Sequence, residues 1–217
     1  MQHYRIIDTE TTGLSNPKAC EVAWICIDEN LNALDSKVFR VNPGAPIEPG
    51  ASNIHGIYDE DVLHCPAIEE VMHGFPSKLC FIGHNVPFDQ RVLGSTISWN
   101  SELCTLALAR RWVKDTANHK LVTLKEHFQL SDQKSHSALG DCQTVLELLY
   151  VLCELSGRNL KGLIELESKP KVLVKMPFGQ HKGKLMKDLP VGYRQWLLTL
   201  PDLHKDIVYT LKTLRLV

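Results

Sequence analysis

The chain has 217 residues, 24 Lys and Arg against 25 Asp and Glu, and 44% hydrophobic residues. That is enough apolar material for one domain of about 150 residues plus an appendage, and no run approaches the roughly 18 uninterrupted apolar residues of a membrane span. Charge is segregated: residues 1–168 carry 14 Lys and Arg against 22 Asp and Glu, whereas residues 169–217 carry 10 against 3, so an acidic body precedes a basic tail suited to a polyanionic partner.

In chain order, residues 5–14, RIIDTETTGL, open as an apolar strand that runs into a Thr-Thr-Gly turn. Residues two apart on a strand share a face, so Asp8 and Glu10 stand side by side at its end, with Thr9, Thr11 and Thr12 around them. Carboxylates that close repel unless a cation lies between them, and oxygen-only ligands suit Mg²⁺ or Mn²⁺ better than zinc. Residues 21–28 and 37–41 follow as strands with turn residues between them, which predicts an antiparallel meander. NPGAPIEPG reads as a loop, residues 67–75 as a short helix, and residues 79–83 as a buried strand.

HNVPFD comes next, with Asn85 and Pro87 ending the strand and starting a helix that carries Asp89 in its first turns. Helices are expected at 105–112 and around 124–128, separated by a polar loop. The run SHSALGDCQTVLELLYVLCEL then gives a long helix on the spacing of Leu139, Val145, Leu146, Leu149 and Leu152, with Ser135 or Ser137 as N-cap. His136 precedes that helix and Asp141 lies in its first turns. Seven cysteines with no C-x-x-C pattern suit reduced thiols and offer neither a zinc site nor a disulfide framework. The N-terminus has no basic segment followed by an apolar one, so a cytoplasmic protein is expected.

Asp8, Glu10, Asp89, Asp141 and His136 together are the parts of a phosphodiester hydrolase using two divalent ions. The imidazole is suited to act as general base because its ordinary titration lies near neutrality. Their order, D-x-E, then H-N-x-x-F-D, then H-x-x-x-x-D, resembles the DEDDh superfamily of 3′–5′ exonucleases, which includes polymerase proofreading subunits. The resemblance implies an α/β, ribonuclease-H-like exonuclease fold, a mixed sheet flanked by helices, over 1–168. It also implies two Mg²⁺ ions (Mn²⁺ substituting) on Asp8, Glu10, Asp89 and Asp141, with His136 as base. By the same resemblance Thr9, Thr11, Thr12, Leu14, His55, Asn85 and Phe88 are expected to bind substrate, a DNA 3′ end, single-stranded or double-stranded.

The tail, 169–217, is expected to be a small basic, mainly helical module. Its F-G-x-x-K-G-K and Y-x-x-W-L segments resemble the C-terminal extension of the exodeoxyribonuclease X branch, which implies a DNA-degrading enzyme of repair. Glycine turns let lysines approach phosphates, so His181, Lys182 and Lys184 are taken as the nucleic-acid side. Aromatic rings can stack on bases, but Tyr193, Trp196 and Leu197 at i, i+3 and i+4 are read here as the module's core. An exoribonuclease and a polymerase proofreading subunit are the alternatives; the latter predicts a disordered tether where this sequence reads as folded.

Overall fold

The computed structural model describes residues 4–76, 79–97, 101–131, 135–200, 203 and 205–216. The chain divides into two compact units, Met1–Leu166 and Glu167–Val217. In the first, strands β1 (Tyr4–Thr11), β2 (Ala19–Ile27), β3 (Ala33–Arg40), β4 (Cys80–Gly83) and β5 (Ser101–Cys104) form one sheet in the order β3-β2-β1-β4-β5. The β1–β2 and β2–β3 pairs are antiparallel, as the meander predicts, and β1–β4 and β4–β5 are parallel.

Alternation along β1 and β2 assigns the two faces of the sheet. Ile6, Ala23, Ile25 and Ile27 join a core with α5 (Thr105–Trp112), α6 (Leu121–His127) and the long helix α7 (Ala138–Ser156). Ile7, Val22 and Trp24 face the other way, against Phe81, Met72 and Leu93. Asp8 and Glu10 share the parity of Ile6, so the strand delivers both carboxylates to the side where α7 packs.

Several of the described elements escape the sequence reading. β5 has only four residues and begins with exposed Ser101 and Glu102, so its alternation is too short to register; pairing with β4 defines it. Helix α1 (Pro49–His55) begins inside the segment read as loop, with Pro at its first turn where no N–H is needed. Helix α8 (Leu160–Ser168) follows α7 after a Gly157 C-cap and buries Leu160 and Leu163. The helix expected over 67–75 shrinks to one turn in α3 (Ile68–Val71), the next short helix after α2 (Asp59–Val62).

In the second unit Met176, Met186, Leu189, Leu197, Ile207 and Leu211 form a small core beneath α9 (Val191–Leu197) and α10 (Lys205–Thr213). The expectation that Tyr193, Trp196 and Leu197 all serve this core needs correction. Leu197 is fully buried and Tyr193 packs at the margin, but Trp196 is 50% exposed, because residue 196 lies about 100° around the helix from 197. No helix among the described residues is long and apolar enough to cross a membrane.

Candidate active site

The carboxylates of Asp8, Glu10 and Asp141 converge, offering ligand atoms within 4.8 Å of one another. Asp8 and Glu10 come from the end of β1. Asp141 comes from the first turn of α7, where Ser137 is the N-cap and accepts a hydrogen bond from the Gly140 amide. Asp89 arrives from α4 (Val86–Leu93), which starts at Asn85 in the left-handed region with φ 78°. Buried Asp89 accepts a 2.8 Å hydrogen bond from the Thr9 hydroxyl, which ties α4 to β1. Gly83 permits this approach: a Cβ there would lie 3.1 Å from the Ile7 carbonyl and 3.2 Å from Val86.

Electrostatics report the crowding. Burial, then the carboxylates of Asp89, Asp141, Glu10 and Glu21, push Asp8 well above the usual carboxylate range. Burial, then Asp141, Glu21 and Asp89, push Glu10 up to about 7. Burial pushes Asp89 up to about 7 against the lowering effect of the Thr9 hydroxyl and two backbone amides. Asp141 is also raised by burial, opposed by the His136 imidazole, by a hydrogen bond from the His136 amide and by the Lys125 ammonium. Acidic groups held this close favour a multivalent cation, and an all-carboxylate donor set fits a hard divalent ion. The cluster therefore fits a divalent metal.

His136 is exposed on the loop before α7, with φ 59°. A pocket of about 110 Å³ beside it is lined by Lys120, Lys125, Ser135, His136, Asp141 and Thr144. Lys125 is buried and donates to the Ser135 hydroxyl at 3.2 Å, bracing that loop from α6. A cleft of about 510 Å³ also uses Lys120, together with His84, Asn85, Arg110, Asn118 and His119. The half-buried His84 ring holds its wall, meeting the Thr105 hydroxyl at 3.0 Å and donating to the His119 carbonyl at 2.8 Å; desolvation pulls its pKa down to about 4.

The remaining expected site residues divide into three groups. Leu14 is 83% exposed, Asn85 is exposed, and Phe88 is half-buried under the Arg91 guanidinium. Thr9, Thr11, Thr12 and His55 are buried with partners inside the protein. The Thr11 hydroxyl donates to the Gly13 carbonyl and that of Thr12 accepts from the Lys18 amide. His55 accepts from the Ile57 amide at Nδ1, so Nε2 carries the proton and donates to the Thr11 carbonyl at 3.2 Å. In the second unit His181 is half-buried, and Lys182 and Lys184 are exposed.

Glu21 is one residue that sequence reasoning misses. It pairs across the sheet with Glu10, and its carboxylate accepts a 3.0 Å hydrogen bond from the Ala138 amide at the start of α7. A charge at the head of an otherwise apolar strand, EVAWICI, was the available signal. Arg110, Lys120 and Lys125 were invisible because their helix and loop meet the site only in three dimensions.

A family model described as exonuclease matches residues 6–149, and the chain belongs to that family, as a 3′–5′ exonuclease of the DEDDh type with the ribonuclease-H-like fold. Among individual proteins, exodeoxyribonuclease 10 of Escherichia coli strain K12 is 31% identical over 222 residues, covering 96% of each chain. A PolC-type DNA polymerase III of Caldanaerobacter subterraneus subsp. tengcongensis is 32% identical, with the match covering 75% of this chain and 12% of that one. A solved structure titled exonuclease X in complex with 5′ overhanging duplex DNA aligns with a TM-score of 0.66 at 30% identity, covering 75% of this chain and 98% of that one. A second family model, whose description names a quorum-sensing-regulated virulence factor, matches residues 157–200.

Proposed function

We propose that the chain is an Mg²⁺-dependent exodeoxyribonuclease that removes 5′-mononucleotides from DNA 3′ ends in DNA repair. The observation that carries this reading is the meeting of Asp8, Glu10 and Asp141 within 4.8 Å, beside Asp89 and a loop bearing His136. DNA as substrate is supported by the exodeoxyribonuclease that matches nearly the whole chain and by the solved exonuclease X–DNA complex.

Asp8, Glu10, Asp89 and Asp141 would hold two Mg²⁺ ions. When bound, these would supply charge neutralisation to the phosphate and a lowered pKa for water. His136, exposed and next to Asp141, accepts the proton as a water oxygen attacks phosphorus. The bond from phosphorus to the 3′ oxygen of the preceding sugar breaks, and that oxygen takes a proton from solvent, leaving a shortened strand with a 3′-hydroxyl and a free 5′-nucleotide. Leu14, Asn85 and Phe88 contact the terminal nucleotide, and Arg110 and Lys120 in the adjoining cleft neutralise its neighbours' phosphates. Thr9 orients Asp89, while Thr11, Thr12 and His55 shape the turn that presents Leu14.

The test is digestion of matched DNA and RNA oligonucleotides with Mg²⁺. Faster shortening of DNA from the 3′ end supports the reading; preference for RNA moves the assignment to an exoribonuclease.

A further inference from the structure

Three rings in the second unit make a continuous surface. His181 packs edge-on against Tyr193 at 4.5 Å between centroids, and Tyr193 lies 5.3 Å from Trp196 with the ring planes tilted by 32°. Tyr193 and Trp196 are i and i+3 on α9, so the helix itself sets the second contact. The first depends on Gly179, where a Cβ would stand 2.9 Å from the Tyr193 hydroxyl. Leu197 anchors the helix in the core, which leaves the Trp196 ring half in water.

The loop that supplies His181 is rigidly made. Met176 and Lys184 bond through the Met176 amide at 2.8 Å, the Gly183 amide returns to the Met176 carbonyl at 2.8 Å, and the Lys182 amide closes on Gly179. This presents exposed Lys182 and Lys184 from the same loop as His181, in a segment with 10 Lys and Arg against 3 Asp and Glu. A partly exposed aromatic ladder with lysines beside it matches the two faces of a single strand, bases that stack and phosphates that repel acid. An acidic protein would use the lysines and leave Trp196 idle.

We propose that His181, Tyr193 and Trp196, with Lys182 and Lys184, form a second binding site for single-stranded nucleic acid, separate in residues from the catalytic carboxylates. The proposal rests on the nuclease reading for its ligand class. The site holds bases by stacking on Trp196 and tolerates any sequence, because every base has a stacking face.

The experiment uses the full chain carrying Asp8→Asn in EDTA, so that bound strand survives, and follows anisotropy of labelled oligothymidylate. Trp196→Ala is expected to weaken binding about tenfold, a typical loss for one stacked base, and Trp196→Phe to restore most of it. Lys182→Ala with Lys184→Ala is expected to lower the salt slope by about 1.4, roughly 0.7 for each phosphate contact. Unchanged affinity and slope in these variants overturns the proposal, and so does competition by poly-glutamate as effective as that by oligothymidylate. Hydrolysis of a dinucleotide by the same substitutions in the Asp8-containing chain is read separately. If it fails in every chain while Trp196→Ala still weakens binding, the catalytic reading falls and the site stands; if it proceeds while binding is unaffected, the site falls alone.

Discussion

Glu10 shows at the scale of one residue what gathering acids costs the metal-free protein. Its carboxyl titrates near 7 when folded, raised by burial and its acidic neighbours from an ordinary 4.5. The folded state then binds a proton that the unfolded state has released, so this group's stabilising contribution is full below pH 4.5 and fades as pH rises through 7. Glu10→Gln keeps the shape and removes the titration. In EDTA the variant's melting temperature is expected to exceed the wild type's by more at pH 8 than at pH 4.5. A constant difference across that range would contradict the origin assigned to the shift. Added Mg²⁺ is expected to reverse the order at pH 8, because the wild type gains the ion that the variant holds poorly.

At the scale of elements the site depends on two joints. Glu21 joins β2 to α7 by accepting the Ala138 amide, one of the helix's unpaired N-terminal donors. Glu21→Ala leaves that donor buried and unpaired, and an expected loss of about 1–3 kcal/mol is measurable by urea denaturation; a change below about 0.5 kcal/mol is what an ordinary surface site gives and would contradict the role. The second joint is Gly13, whose φ of 153° is a backbone conformation that a residue with a Cβ rarely adopts; the exposed Glu48 carboxylate beside it can swing aside, so the strain lies in the backbone. The Glu48 amide in turn donates to the Thr12 carbonyl at 2.8 Å. Gly13→Ala is therefore expected to displace the turn carrying Leu14 and to raise KM for the oligonucleotide more than it lowers kcat. An unchanged KM would show that the turn does not position substrate.

These joints also mark how far the sequence could be read. Asp8 and Glu10 were legible because strand period alone brings them together, and Ser137 and Asp141 because caps are local. The meander of β1, β2 and β3 followed from apolar runs and turn residues. β5 was not legible, since four residues carry too little alternation, and α8 went unread despite its buried Leu160 and Leu163. Contacts between distant segments left no mark in one sequence: Thr9 with Asp89, Glu21 with Ala138 and Lys125 with Ser135 are joined only by folding.

Across the whole molecule, charge and structure divide at nearly the same place. The acidic residues of 1–168 include the four that converge on the site, while 169–217 holds ten cations in a unit with a core of its own. Helical spacing placed Leu197 inside correctly, but it could not distinguish the exposed face of Trp196 from a buried one.

The central claim is that Asp8, Glu10, Asp89 and Asp141 with His136 cut DNA from its 3′ end. The most direct measurement is gel analysis of a 5′-labelled single-stranded DNA oligonucleotide incubated with Mg²⁺ and the wild type, Asp8→Ala or His136→Ala. The wild type is expected to give a ladder shortening from the 3′ end with release of 5′-mononucleotides. Asp8→Ala should abolish it, and His136→Ala should slow it by about 10²–10⁴-fold, the usual contribution of a general base. Wild-type activity that survives both substitutions, or none on any nucleic acid, would contradict the account.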